Sequence, residues 1–405
     1  MQVGDVDLSD PDAFGAGFPH DYFRFLRREC PVAWHEEKDG PGFWVISKYE
    51  DLKHVSRNPK LFSSFEGGTN IEDRGPEELP RLRAIMLNMD PPQHVKYRRL
   101  VQKGFTPRLI GKQEAHIREL ARRIVDAVAP RGECDFVSEV ASELPMQVIC
   151  EMVGVPEEDR RRLYDLSNLL IGFDDPEYQK SPDQGMLASI EMFSYASKLA
   201  ARAKAEPRDD LATALVQGEV DGERLSDLDY NSFFLLLSVA GNETTRNMTT
   251  HGIRLLMEHP EERAKILRGF SRVESATEEI LRYNPPVMYF RRTALADTEI
   301  RGQKIRKGEK VALYYPSANR DEDVFPEPDR FDVTRSPNDH LAFGIGEHFC
   351  LGASLARLEL NILFEEVLRR MPDMELAGPI RLLRSNFIDG VKEMRVRYTP
   401  ERATA

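Results

Sequence analysis

The chain has 405 residues, 41% of them hydrophobic, enough for a large core. Its 56 basic against 68 acidic side chains leave a net charge of −12, which argues against nucleic acid as a partner. The four cysteines, Cys30, Cys134, Cys150 and Cys350, are too sparse for a disulfide framework and point to a reducing cytoplasm.

Residues 1–30 hold no apolar run long enough for a signal peptide or membrane anchor, so a soluble, cytoplasmic protein is expected. No repeat, low-complexity tract or linker divides the chain, and residues 1–405 are expected to form one domain. A short helix is predicted over 21–29. Strands at 32–35 and 43–46 flank the turn Asp39-Gly40-Pro41-Gly42, and a helix follows over 49–56. Residues 63–89 lack periodicity, and so long a loop in a compact domain is usually functional or mobile.

Asp90-Pro91-Pro92 opens the next helix, with Asp90 able to cap it and the prolines suited to its first turn. His94 and Arg98 then share a face at i and i+4, a pair that suits a carboxylate ligand or serves as a polar surface. Apolar spacing of three and four predicts helices over 112–129, 138–153, 156–171 and 186–204, with a loop over 173–185.

The longest helical run covers 226–259 and ends at Pro260; at 1.5 Å per residue it spans roughly 50 Å. Ser226 with Asp229 forms a capping-box pattern. Residues 233–240 are apolar almost all round, so this helix is expected to cross the interior. Gly241 and Glu243 then break two local rules, a glycine in mid-helix and a carboxylate in apolar surroundings. Close helix packing for Gly241 and an ion pair with a nearby arginine for Glu243 are the structural alternatives to a functional role. Glu279 and Arg282 lie one helical turn apart, and Arg330 follows in a proline-rich stretch. Segments 299–302 and 309–313 read as a hairpin.

Near the C-terminal end comes Phe343-Gly344-Ile345-Gly346-Glu347-His348-Phe349-Cys350-Leu351-Gly352, with a helix-forming run starting at Cys350. The glycines allow a tight turn and a close approach to a flat object. A cysteine at a helix N-terminus is expected to have a lowered pKa, suiting a nucleophile or a soft metal ligand. A buried free cysteine is the structural alternative.

The pattern Phe-Gly-x-Gly-x-His-x-Cys-x-Gly-x-x-Leu-Ala-Arg-x-Glu over residues 343–359 resembles the haem-binding signature of the cytochromes P450. Asp-Pro-Pro-x-His-x-x-x-Arg at 90–98 and Ala-Gly-Asn-Glu-Thr at 240–244 resemble further segments of that family, in the family's order. The resemblance implies a mainly α fold with small β-sheets, a long central helix and a cysteine-ligand loop. It implies haem b, with Cys350 as the axial thiolate on iron. Phe343 and Gly344 would pack beside the thiolate and the haem. His94, Arg98, His348 and Arg292 would hold the propionates, with Arg291 as the alternative to Arg292. Ala240 and Gly241 would lie at the oxygen-binding side. Thr244 and Glu243 would form the alcohol–acid pair that delivers protons. Glu279, Arg282 and Arg330 would form the structural Glu-Arg-Arg triad. Val239, Ala240, Val287, Met288, Phe387 and Ile388 would touch substrate. Residues 63–89 would form a lid, and the two helices around the 173–185 loop a roof, with Leu169, Leu170, Phe173, Met192 and Phe193 as further pocket candidates.

The implied activity is insertion of one oxygen atom of O2 into a C–H bond of an apolar small molecule. The implied electron source is a ferredoxin with an NAD(P)H-dependent reductase, since no run remains for a fused donor module. Lys96, Arg99, Lys103 and Arg357 would offer the donor a basic patch. The segments at 240–247, 286–293 and 340–344 resemble the branch that hydroxylates terminal methyls of steroid side chains and methyl-branched lipids. Terpene hydroxylases share parts of them. A peroxygenase or a non-catalytic haem sensor would not need the intact Glu243-Thr244 pair.

Overall fold

Ser226 starts the element around which the rest packs. Its hydroxyl accepts from the Asp229 N–H at 3.1 Å, and the Asp229 carboxylate accepts from the Ser226 N–H at 3.2 Å, closing the predicted capping box. The helix then runs without interruption over Asp227–Glu258 in a computed structural model that describes residues 1–402 apart from 182, 209 and 221. Within the helix the Thr244 hydroxyl donates to the Ala240 carbonyl at 2.8 Å, a bond that competes with the helix ladder. Helices Glu143–Met152, Glu157–Ile171, Gln184–Ala205, Val273–Tyr283 and Ala353–Arg370 pack around the central one, which explains why its apolar character extends nearly all round.

A five-stranded sheet lies beside the helices, ordered Val32–His35, Phe43–Ile46, Lys310–Tyr314, Tyr289–Ala294, Phe62–Ser63. The first two strands pair antiparallel in the register Val32 to Ile46. The hairpin expected from 299–302 and 309–313 is rearranged. Thr298–Ile300 pairs with Gln303–Ile305, while Lys310–Tyr314 joins the large sheet between Phe43–Ile46 and Tyr289–Ala294. Burial decides this: all five residues of Lys310–Tyr314 are buried, which a two-stranded surface hairpin could not provide. Residues 63–89 are largely irregular but include the short helix Leu79–Arg83 and a 3-10 turn at Met86–Asn88.

The expected triad changes one member. The Arg282 guanidinium donates to Glu279 at 2.8 and 2.9 Å, both side chains fully buried. The second arginine on Glu279 is Arg335, at 3.1 and 3.2 Å, and not Arg330. Arg330 turns outward to Glu327 at 3.2 Å and contributes only its carbonyl, which accepts from Arg282 and Arg335. The chain folds back after Phe331, so the later arginine reaches the interior.

Candidate active site

One stripe of the central helix is left uncovered by protein. Leu236, Ala240 and Thr244 recur at i, i+4 and i+8, so they share a face. Ala240 is exposed and its stripe partners half-buried, while Leu237, Ser238, Asn242 and Glu243 beside them are buried. An exposed residue in the middle of an interior helix marks open space inside the fold. Val239 is also half-buried. Gly241 serves packing: a Cβ there would come within 2.9 Å of the Ile149 side chain on helix Glu143–Met152.

Glu243 is buried and ion-paired to Arg246 one turn on. Arg246 in turn donates to Asn168 Oδ1 at 2.7 Å and to the Tyr164 hydroxyl at 3.3 Å, both on roof helix Glu157–Ile171. Burial pushes the Glu243 carboxyl upward against the pull of Arg246, and its Oε1 has no hydrogen-bond partner. The acid adjacent to Thr244 thus sits in a buried polar cluster that links the central helix to the roof.

The cysteine loop is closed by the Cys350 N–H donating to the Phe343 carbonyl at 2.8 Å. Gly344 and Gly346 have φ of 70° and 80°, where glycine is favoured, and a Cβ on Gly346 would lie 2.8 Å from the Ser56 carbonyl oxygen. Arg98 donates to the Phe349 carbonyl at 2.5 Å, and Arg357 sits 4.5 Å from the Phe343 ring centre. The helix begins at Ala353 with Gly352 as its cap, three residues later than the sequence suggested. Burial therefore dominates the Cys350 thiol and pushes its pKa up; the Gly352 N–H, Arg98 and Arg357 oppose this without offsetting it. The expected lowering by the helix N-terminus is not realised in the protein alone, and a bound cation is what would hold the thiolate.

Four donors converge beside this loop. His94 and Arg292 are buried, and Arg98 and His348 half-buried. The two imidazoles lie 4.1 Å apart between ring centres. Burial, then Arg98 and Arg292, lowers His94 to about 4. Burial, then Arg292, His94 and Arg98, lowers His348 to about 2. Among the described residues no carboxylate lies within ion-pair distance of Arg98 or Arg292; Arg292 donates only to the Arg291 carbonyl, at 2.8 Å. His94 Nδ1 is buried without a partner. Unpaired buried cations are costly, so this set fits an anionic ligand, and the carboxylates of haem suit it. Arg291, by contrast, is committed to Asp73 at 2.6 Å and to carbonyls of the 63–89 segment.

The pocket candidates divide. Val287 and Phe387 are half-buried, with Phe387 against Tyr289 and Phe290 at 5.4 and 5.8 Å between ring centres. Met288 and Ile388 are only 1% and 2% exposed. Met288 packs in the N-terminal core with Leu8, Phe18 and Phe23, so it is corrected to a core residue, and Ile388 backs the wall through its bridge to Val287. Of the roof candidates, Met192 is fully buried core, and Leu169, Leu170, Phe173 and Phe193 are half-buried. The basic patch is reduced: Arg357 is held by Glu278 through two bonds of 2.7 Å, and the Lys103 side chain lies outside the described residues. Sequence reasoning missed Arg335 and the Asp73 partner of Arg291, for which no local spacing gives a signal.

A family model described as cytochrome P450 matches residues 145–372. Over 402 residues the chain is 42% identical to a steroid C26-monooxygenase of Rhodococcus jostii, spanning 97% of this chain and 84% of that protein. Over 413 residues it is 42% identical to a methyl-branched lipid omega-hydroxylase of Mycobacterium tuberculosis, spanning 98% and 96%. Among solved structures, a Mycobacterium marinum cytochrome P450 in complex with pseudoionone matches with a TM-score of 0.91 at 40% identity, covering 98% of this chain and 100% of that one.

Proposed function

The chain belongs to the cytochrome P450 family of haem b monooxygenases, and from that premise we propose that it hydroxylates the terminal methyl of a steroid side chain or a methyl-branched lipid. The observation that carries the substrate class is the pair of relatives at 42% identity, whose names specify C26 of a steroid and the omega position of a methyl-branched lipid.

When bound, a haem with thiolate ligation supplies the O2 chemistry, because the thiolate favours O–O cleavage. Cys350 provides that thiolate from a loop whose glycines let the backbone pass close by. His94, Arg98, Arg292 and His348 would hold the haem carboxylates, which suits the partnerless, buried His94 Nδ1. Ala240, the smallest side chain on the open stripe, leaves room beside Thr244. The Thr244 hydroxyl stays within the helix by donating to the Ala240 carbonyl and keeps its lone pairs for a proton-bearing neighbour. Glu243, adjacent to Thr244, would pass on the next proton: burial shifts its carboxyl upward against the pull of Arg246, and its Oε1 is free of hydrogen bonds. Val287 and Phe387 form the apolar wall that orients the chain end.

Electrons come from a ferredoxin and its NAD(P)H-dependent reductase, docking near Arg99 and the exposed Phe349 beside Cys350. We read residues 1–405 as one haem domain acting in the cytoplasm. Four free cysteines support that setting, and among the described residues no helix is long and apolar enough to cross a membrane. Terpene oxidation is the second reading, favoured by the neighbour bound to pseudoionone.

The test is titration of the ferric protein with a cholestenone, a methyl-branched fatty acid and a monoterpene alcohol, followed by product analysis. A Soret shift to the blue with either of the first two, and a terminal alcohol as product, is expected. A shift with the terpene alone would transfer the assignment to the second reading.

A further inference from the structure

The turn that carries Phe387 is held to the central helix by a buried polar network that the reaction chemistry does not use. Within the turn, the Ser385 hydroxyl accepts from the Phe387 and Ile388 N–H groups, each at 3.1 Å. Backbone bonds tie the turn to the strand side: Met288 N–H to the Phe387 carbonyl at 2.9 Å, and Asp389 N–H to the Pro286 carbonyl at 2.8 Å. The tie to the helix is made by side chains. His251 Nε2 lies 3.0 Å from the Asp389 carbonyl oxygen and 3.4 Å from its carboxylate. Both are acceptors, so Nε2 carries the hydrogen. Asn284 Nδ2 donates to the other carboxylate oxygen at 2.9 Å. Asn247 Oδ1 accepts from the Val391 N–H at 3.2 Å. His251 and Asn247 are fully buried, one helical turn apart, and Asn247 follows Thr244 by less than a turn. A Cβ at Gly390 would approach Leu383 to 3.0 Å, so the turn has no slack on its other side.

This placement matters for which carbon reacts. A primary C–H bond is stronger than the secondary and tertiary C–H bonds next to it, so a loosely held branched chain would be oxidised inside its terminus. Selecting the terminal methyl requires a wall whose distance from the oxygen-binding side is constant, and misplacement of about 1 Å costs about 100-fold. Backbone bonds to the strand hold the turn but leave its distance from the helix free. Among the described residues, the side-chain hydrogen bonds from the helix that carries Thr244 to this turn are those of His251 and Asn247. The tie leaves His251 Nδ1 and Asn247 Nδ2 without partners, but its directional hydrogen bonds to Asp389 and Val391 still favour one arrangement where apolar contact would allow several.

We propose that the His251–Asp389–Asn284 network, with Asn247, sets the position of the Phe387 wall against the central helix and thereby determines terminal oxidation. His251 is a positioning residue. The inference rests on the function proposed above.

The experiment uses the haem-loaded enzyme with a reconstituted ferredoxin system and a branched-chain substrate. It reads the ratio of terminal to adjacent-carbon alcohol by mass spectrometry. His251→Ala is expected to lower that ratio at least about tenfold, a small part of the loss that 1 Å of misplacement brings. Haem content and the reduced CO-bound spectrum should stay unchanged. His251→Gln, which returns a donor to Asp389, should restore the ratio, whereas a merely structural role would change yield and leave the ratio alone. If His251→Ala loses haem, Asn284→Ala decides by the same ratio. An unchanged ratio in correctly loaded His251→Ala or Asn284→Ala overturns the proposal. A wild-type enzyme that makes no terminal alcohol from either substrate class overturns the functional reading, and this inference with it, before any variant is compared.

Discussion

Arg291 and Arg292 are neighbours on one strand and live in opposite electrostatic worlds. Successive strand residues point to opposite faces. Arg291 meets Asp73 at 2.6 Å, and Lys310 joins the same acid at 3.1 Å while also holding Glu37 at 2.5 Å. Lys310 pairs with Thr293 in the sheet, two residues from Arg291, so both cations emerge on one face as diagonal neighbours. There the charges are matched, and the result is a clamp on the 63–89 segment. On the other face Arg292 joins Arg98, His94 and His348, and no carboxylate among the described residues is within ion-pair distance of either arginine. A protein that leaves cations buried and unmatched is built for an anion from outside. The matched face is architecture and the unmatched face is a binding site, and chain position alone does not distinguish them.

The sharpest way to break this comparison is to replace each arginine with methionine, which keeps bulk and removes charge. Arg292→Met should weaken haem retention about 10–100-fold, from the loss of a charged hydrogen bond of about 1.5–3 kcal/mol. Haem transfer to a scavenger protein measures it. The same change should raise the melting temperature of the haem-free protein, because an unmatched buried charge is removed. Arg291→Met should do the reverse, lowering stability by about 1–3 kcal/mol and leaving haem retention unchanged. If both variants lose haem equally, the contrast between the faces is wrong.

A smaller effect is expected from Asp73→Asn. Burial pushes the Asp73 carboxyl up, but Arg291 and Lys310 more than compensate and hold it below its ordinary value of 3.8. A depressed carboxyl stabilises the fold above the unfolded value and loses that contribution as pH falls through the folded one. Asp73→Asn should therefore melt lower than wild type at neutral pH, by under about 1 kcal/mol because Asp73 is half-exposed. The gap should close below pH 3.8. Thermal melts across that range would show it, and a gap independent of pH would remove the clamp. Ser226→Ala touches neither face and should cost about 1 kcal/mol through loss of the helix cap, with haem retention unaltered.

What could be read from the sequence by itself was local. The cysteine loop, the capping box at Ser226 and Asp229, and the paired strands at 32–35 and 43–46 all involve residues within a short stretch of chain. Backbone geometry and side-chain reach over such spans follow from the residue types. Only the tertiary structure decided which of Arg330 and Arg335 reaches Glu279, that Met288 belongs to the N-terminal core, and that Arg291 belongs to Asp73. It also joined His251 to Asp389, 138 positions away. These pairings depend on where the chain folds back and which face each strand presents. Burial, not spacing, likewise governed Cys350, whose thiol is pushed up by the same packing that shapes its loop.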